Sequence, residues 1–367
     1  MARKRNRTKS RLKPAVLSIA VAAGLAAAPA PSEALSLKIS GQINKTIGWI
    51  DNGQFDAVGI FDNQNSGSRF RFTGSEDMGN GTSVGGVWEW QWPNSPSSAA
   101  AFNSLGEFSE TSASLQDRKT ELYFQARWGK LSLGKGDGAA NGTAEVDLSG
   151  TPAIDYSGGN QCLLGSIQYG VAGTAPGTLT VAATYSQFDG ESRNTRIRYD
   201  TPKFAGNAIA VSLGNGKSSE VAYRGAWNPG STKFAVAAGV TDLDDAVTGT
   251  SRGRKRTAVS GSVLLGMGLN VTGSFSRQEL STAGAPKQSL TYAKVGWKKG
   301  KHAVSLSWGQ SKERPVANAK ATAVALGYVY KPVKFVELYG AFRTAETSAA
   351  GFSKVTAIHL GSRIKWK

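Results

Sequence analysis

The chain has 367 residues, with 43 Lys and Arg against 26 Asp and Glu, a net charge of +17, one cysteine and two histidines. These counts exclude an intrachain disulfide and leave no plausible His/Cys metal cluster, so no cofactor is expected. Stability must therefore come from the fold.

The first 34 residues have the parts of a secretory signal peptide. Residues 1–13 contain seven Lys or Arg and no acid, residues 14–31 are mostly Ala, Val, Leu and Ile, and Ser32 and Ala34 are small residues where signal peptidase reads the chain. A basic nucleic-acid arm followed by a membrane helix is disfavoured, because the apolar run is short for a span. We predict that residues 1–34 are cleaved and that residues 35–367 form one domain.

Removal of the signal peptide lowers the excess of basic residues. It leaves 36 basic and 25 acidic side chains, a net charge of about +11. Nucleic-acid binding is the usual inference from such a balance, but an exported chain meets no nucleic acid. We expect the charge to act on small solutes or on an anionic lipid surface.

Apolar and polar side chains alternate from the start of the mature chain. In residues 35–49 one face carries Leu and Ile and the other Ser, Gln, Asn and Thr, with Lys45 as the exception. The period of two recurs at residues 119–128 and 194–200 and in further segments up to Trp366, whereas helical periodicity does not appear. The pattern predicts about 18 strands, each with one apolar face.

Short and long connections alternate along the chain. Tight turns fall near residues 74, 128, 228, 266, 298 and 331, and longer loops at 51–67, 93–117, 136–161, 242–255, 279–287, 311–320 and 344–353. This parity is typical of an up-and-down barrel with unequal ends, which would cross a membrane with strands. We predict an all-β fold, a transmembrane antiparallel up-and-down β-barrel of 16 or 18 strands. Segments 163–169 and 179–188, either a barrel hairpin or part of a loop, decide the number.

Arginines and aromatic residues alternate around the turn at residues 74–81. The residues predicted to face lipid are Phe70, Phe72, Trp88, Trp90 and Trp92. The residues predicted to face a water-filled lumen are Arg69, Arg71, Glu89 and Gln91.

Three blocks of the sequence resemble the Gram-negative trimeric general porin family. SRFRFTGSEDMGNGTSVGGVWEWQ (68–91) is similar to that family's second and third strands. RKTELYFQARWGKLSLGKGDG (118–138) is similar to the fourth and fifth strands before the constriction loop, and RIRYDTPKFAG (196–206) to the strand and turn after it. The chain departs from the family by ending in Lys367 after Trp366 and by its extra region 163–188.

The resemblance implies a location and partners. It implies export through the periplasm to the outer membrane, a homotrimer, and contact with outer-membrane lipid and lipopolysaccharide. The loop at residues 93–117 occupies the position of the family's second loop, which latches onto the neighbouring subunit.

The resemblance also implies that the third external loop folds into the barrel and narrows it. The acids of the matching segment are Asp137, Glu145, Asp147 and Asp155. Resemblance and alternation together predict a basic wall opposite them, made of Arg69, Arg71, Arg127, Arg196 and Arg198. Acids facing arginines would produce a transverse field across the pore. The alternatives are lumen arginines paired with neighbouring acids, and solvated loop carboxylates.

These features predict an outer-membrane channel for passive diffusion of small hydrophilic solutes, with a mild anion preference. One alternative is a channel selective for phosphate or a sugar, and another is a plugged structural or adhesive barrel. The cluster Arg252, Arg254, Lys255 and Arg256 is predicted to act either as an anion collector or as a lipopolysaccharide contact. No enzyme is expected, because neither His302 nor His359 lies in a catalytic motif.

Overall fold

The computed structural model describes residues 36–109, 114–158, 164–171, 177–215, 218–243 and 254–367. The predicted signal peptide, Cys162 and Arg252 lie outside these ranges. The described residues form an almost entirely β structure, with one short α-helix, α1 (Val181–Thr184), and single 3-10 turns. No helix in these ranges has the length and hydropathy needed to cross a lipid bilayer.

The β-strands follow one another along the whole described chain. Their bounds are β1 (Ser36–Asp51), β2 (Asp56–Asp62), β3 (Arg69–Asp77), β4 (Ser83–Gln91), β5 (Gln116–Ala126), β6 (Gly129–Gly136), β7 (Asn194–Asp200), β8 (Asn207–Gly214), β9 (Ser219–Trp227), β10 (Lys233–Leu243), β11 (Arg254–Leu264), β12 (Leu269–Leu280), β13 (Gln288–Lys299), β14 (His302–Lys312), β15 (Lys320–Val333), β16 (Val336–Thr347) and β17 (Val355–Trp366). Each strand pairs antiparallel with its neighbours.

The sheet closes because β1 pairs with the last strand as well as with the strands that follow it. Gly41 lies opposite Trp366, and Asp51 lies opposite Thr356. On its other edge β1 pairs first with β2 and then with β3, which are successive segments of one barrel position. The described strands therefore form a closed barrel of 16 strands, the smaller of the two predicted numbers.

The extra region is a loop elaboration rather than a barrel hairpin. Its described part makes only an isolated bridge between Gln168 and Thr180, followed by α1. Ile167, Tyr169 and Val181 are fully buried. The segment is apolar because it packs inside the barrel, whereas a barrel strand would leave one face outward. This is why its pattern resembled a strand.

The two ends of the barrel differ. At one end, called the turn end, residues 78–82, 201–206, 265–268 and 300–301 are among the tight connections. At the other, called the loop end, the connections include residues 92–115 and 137–193. The predicted loop at 51–67 differs from the structure, because a short turn at 52–55 there leads directly into β2.

Side chains alternate between the two faces of the wall as the sequence predicts. In β1, Ile43 and Ile47 are more than half exposed on the outer face, whereas Asn44 and Thr46 are buried on the inner face. The outer face of the described wall is lined with exposed Leu, Ile, Val and aromatic residues. Such an apolar band is the surface that a transmembrane barrel presents to lipid.

An apolar cluster fills part of the barrel near the loop end. It joins inward residues of the wall, such as Ile50 and Phe61, to loop residues such as Phe102, Tyr169 and Tyr185, all of them buried. The rings of Phe102 and Phe108 stack with centroids 4.8 Å apart. The described part of the 92–115 loop therefore packs against its own chain.

The barrel position shared by β2 and β3 is interrupted at residues 63–68. The chain leaves the sheet there in a 3-10 turn, Gln64–Ser66, which lines the lumen. Nδ2 of Asn44 donates to the Ser66 carbonyl at 2.9 Å, and Nδ2 of Asn63 donates to the Ala153 carbonyl at 3.1 Å. The break thus joins the wall to the 137–193 loop, called the inner loop below.

Candidate functional site

A polar cavity of about 600 Å³ lies between the inner loop and the wall formed by β3, β4 and β5. Within the described ranges, the charged residues lining it are Arg69, Arg118, Arg193, Arg256, Glu145 and Asp189. Amide and hydroxyl side chains supply most of the remaining lining. The cavity is therefore hydrophilic, with an excess of positive charge.

Serines on the opposite side of the barrel hold the inner loop in place. The backbone N–H groups of Val146 and Leu148 donate to the Oγ atoms of Ser260 and Ser262, both at 3.0 Å. Ser274 donates in turn to the Ala144 carbonyl at 2.8 Å. These serines occupy alternate inward positions of β11 and β12. A small hydroxyl at each position lets the loop approach closely while its backbone groups remain bonded.

A buried charged cluster fixes the middle of the inner loop. Nζ of Lys294, whose side chain is fully buried, lies 2.7 Å from Oδ2 of Asp147 and 3.5 Å from Oδ2 of Asp155. Arg343 lies 3.7 Å from Asp155 and also donates to the Ile154 carbonyl. The structure thus places Asp147 and Asp155 between the loop and the wall, away from the cavity surface.

The arginines on the cavity wall surround one buried carboxylate. Glu89 is 1% exposed, and its carboxylate accepts from Nε of Arg71 and from Nε of Arg118, both at 2.7 Å. Nε of Arg69 lies 3.8 Å from the same carboxylate. Glu89 therefore orders these guanidinium groups while offsetting only part of their charge.

Arg196 and Arg198 support the base of the inner loop. Nε of Arg196 donates to the Asp137 carbonyl at 3.0 Å, and Nη1 of Arg198 donates to the Gly138 carbonyl at 2.9 Å. The carboxylate of Asp137 is paired with Lys119. These residues thus fix the position at which the loop leaves β6.

Arg127 lies elsewhere than the predicted basic wall. β5 ends at Ala126, so Arg127 falls in the tight connection to β6, where it is exposed. Its Nε lies close to Gly81 of the neighbouring turn. Alternation across residues 119–128 predicted an inward position because it could not show that the strand ends one residue earlier.

The cavity acids are partly neutralised by their surroundings. Glu145 accepts from Nε2 of Gln187, and Asp189 accepts from the backbone N–H of Ala144 at 3.1 Å. Burial, and secondarily the charge of Asp189, raises the pKa of Glu145 from 4.5 to about 7. Burial also raises the pKa of Asp189. The cavity therefore carries less negative charge than its carboxyl groups suggest.

The model of the Gram-negative porin family matches residues 15–350. The chain belongs to the Gram-negative porin family. This porin is therefore an outer-membrane channel protein.

Solved structures share the fold of this porin at low sequence identity. The anion-selective porin from Comamonas acidovorans is 16% identical with a TM-score of 0.62, covering 91% of this chain and 100% of that one. The outer membrane channel DcaP of Acinetobacter baumannii is 12% identical with a TM-score of 0.60, covering 92% and 100%. OmpT of Vibrio cholerae, solved in a trimer form, is 13% identical with a TM-score of 0.57, covering 91% and 100%. No curated protein sequence matches.

Several cavity residues of this porin were missed by sequence reasoning. Arg118 lies at an irregularity in the β4–β5 register, between Asp117 and Lys119, so simple alternation does not place it. Arg193 and Asp189 lie in the non-periodic end of the inner loop. Arg256 belongs to the cluster interpreted as an anion collector or a lipopolysaccharide contact, and the structure places it in the cavity lining. The sequence feature that could have indicated Arg118 was the porin-like block RKTELYFQARWGK, because Arg118 is its first residue.

The raised pKa of Glu145 predicts a pH-dependent selectivity in this porin. Below pH 7 the carboxyl is mostly neutral, and above pH 7 it is mostly ionised and opposes the cavity arginines. We expect the anion-to-cation permeability ratio to fall as the pH rises from 5.5 to 8.5. Glu145→Gln should weaken this pH dependence, and Asp189, whose pKa burial also raises, accounts for any remainder. Reversal potentials in a KCl gradient measure the ratio, and an unchanged pH profile in Glu145→Gln would contradict this assignment.

Proposed function

We propose that this porin lets small hydrophilic solutes diffuse passively across the outer membrane, with a preference for anions. The observation that carries the proposal is the cavity charge, because the described lining contains four arginines, Arg69, Arg118, Arg193 and Arg256, but only two acids, Glu145 and Asp189. Positive charge in a narrow polar passage raises the local concentration of anions and disfavours cations. The amide and hydroxyl lining favours hydrated solutes.

Single-channel recording tests this function. Purified mature protein in a planar bilayer should give stepwise conductance, and the reversal potential across a KCl gradient should have the sign of a chloride-preferring pore. Absence of conductance from protein shown to be a folded barrel would favour the plugged or adhesive alternative. Current carried by phosphate in preference to chloride, or strong block by a sugar at low concentration, would favour a substrate-selective channel.

Of the residues predicted for the constriction, some line the passage and others hold the inner loop in place. Glu145 on the inner loop and Arg69 on the wall line the passage. Asp147 and Asp155 hold the loop that forms it, as do Asp137, Arg196 and Arg198 at its base.

The outer surface supports contact between copies of the chain, and the family resemblance makes a homotrimer the proposed assembly. Lys45 lies outward near the middle of β1, with its side chain 45% exposed and its Nζ 2.8 Å from Asp62. A lysine facing lipid at the bilayer midplane costs roughly 2–4 kcal/mol. A second copy of the chain against this part of the wall would remove that cost.

Native mass spectrometry of the detergent-solubilised protein should therefore report three copies. A single copy under conditions that preserve other membrane complexes would contradict the trimer. The same spectrum gives the monomer mass, which should correspond to residues 35–367 after cleavage of the signal peptide.

The outward charges at the loop end favour contact with lipopolysaccharide. Lys255 and Arg277 lie on the outer face there, Lys255 between Asp242 and Glu279 in the strand register and Arg277 3.1 Å from Glu279. Basic side chains at this level would meet lipid phosphates.

A further inference from the structure

The bonding of Arg193 differs from that of the other cavity arginines. Arg118 donates to Glu89, Arg256 donates to Gln278 at 2.9 Å, and Arg69 lies near Glu89. Arg193 lines the same cavity, but its guanidinium makes no hydrogen bond and no ion pair with any residue in the described ranges. Among the residues that the structure describes, it is therefore a charged fork without a fixed acceptor.

The backbone holds Arg193 in an uncommon conformation. Its φ is +57°, in the left-handed region that non-glycine residues seldom adopt. The chain is fixed on both sides, because the N–H of Glu191 donates to Glu220 at 2.6 Å and Nδ2 of Asn194 donates to Ser218 at 3.3 Å. Such conformations persist only where the surroundings impose them, and they concentrate at functional sites.

Arg118 supplies a second positive charge close to Arg193. Burial, and then the like charge of Arg118, lowers the pKa of Arg193. Arg118 donates its own bonds from Nε and Nη1, so its Nη2 makes no bond to the described residues. Asp137, Glu89 and Glu145 attract Arg193, but none of them is bonded to it, so its guanidinium fork can still take an anion as a partner.

We propose that Arg193, together with Arg118, forms a binding site for small oxyanions within the passage. A guanidinium donates two parallel hydrogen bonds to a carboxylate or phosphate, which a spherical chloride cannot accept in the same way. The site therefore slows oxyanions that pass through it and distinguishes them from chloride. The inference rests on the proposed channel function, because it requires solutes to reach the cavity.

Block of chloride current measures this binding. Single-channel currents in KCl are recorded while potassium phosphate or potassium acetate is added, and the concentration that halves the chloride current is determined. Two probes separate phosphate from carboxylate recognition, and block by either one supports an oxyanion site. We expect the wild-type chloride current to be blocked at concentrations at which an equal addition of KCl causes no block.

Three variants locate the site. Arg193→Asn removes the charge while keeping a residue that tolerates left-handed backbone, and it should raise the half-blocking concentration roughly tenfold or more, the loss expected for a charge-assisted hydrogen bond. Arg193→Lys keeps the charge but not the fork, so its half-blocking concentration should lie between those of the wild type and Arg193→Asn. Arg127→Asn removes an exposed arginine from a turn, and its half-blocking concentration should equal that of the wild type.

The outcomes separate this inference from the channel function. A conducting wild type without oxyanion block, or equal block in Arg193→Asn, would overturn the site and leave the channel intact. A folded wild type without any conductance would overturn both. Retained KCl conductance in Arg193→Asn shows that the variant barrel is folded.

Discussion

Replacing Lys294 by Met should free the inner loop and convert a steady channel into a wider, fluctuating one. The ammonium group is fully buried between Asp147 and Asp155, so its loss leaves two buried carboxylates with Arg343 as the nearby cation. Removing one partner of a buried ion pair costs roughly 3–5 kcal/mol. That corresponds to a shift of about two to four orders of magnitude towards the undocked loop. The barrel itself should survive, because its strand ladder does not depend on this cluster.

Single-channel recording of Lys294→Met should show a larger mean conductance and frequent transitions. Lys299→Met, an exposed position on the same strand, is the matched control and should behave like the wild type. Adding Asp147→Asn and Asp155→Asn to Lys294→Met should restore part of the steady conductance, because neutral amides replace the two unpaired carboxylates. A quiet wild-type conductance in Lys294→Met would show that the remaining contacts, the serines among them, are enough to hold the loop.

Neutralising Arg69 and Arg118 together should remove most of the anion preference. Both guanidinium groups line the cavity, and Arg71 would remain to pair with Glu89. A charge about 6 Å from a passing ion contributes roughly 1–3 kcal/mol, depending on the effective dielectric constant. The Arg69→Gln and Arg118→Gln double variant should therefore lower the anion-to-cation permeability ratio about tenfold or more.

The reversal potential across a KCl gradient measures this change at pH 8, where Glu145 is mostly ionised. Arg127→Gln removes one positive charge from the exposed turn and should leave the ratio close to that of the wild type. If the double variant and Arg127→Gln gave the same small shift, selectivity would arise from the overall charge of the protein rather than from the cavity wall.

Periodicity predicted the barrel because each strand has a polar face towards the lumen and an apolar face outward. Ile43 and Asn44, adjacent in β1, have opposite exposures for this reason. The same rule failed at Ile167 and Val181, which are apolar because they pack against other loop residues inside the barrel. A period of two cannot distinguish burial in a loop from exposure to lipid.

The site was less predictable than the fold because it depends on loop geometry. Asp147 and Glu145 are two residues apart, yet Asp147 contacts Lys294, 147 residues further along the chain, whereas Glu145 lines the cavity. Only the docked path of the inner loop separates their roles. The alternating serines of β11 and β12 could have indicated where the inner loop docks. Small hydroxyl side chains on the lumen face leave room for a loop backbone and can bond to it.

The apolar cluster at the loop end sets an order for folding. It joins Ile50 of β1 to Val355 and Ala357 of β17, and Ile50 and Ala357 become register partners only when the first and last strands meet. Contacts between residues so far apart in the chain form late, because chain closure must precede them. The first and last strands must therefore meet before this cluster is complete, and the loop residues that belong to it settle last.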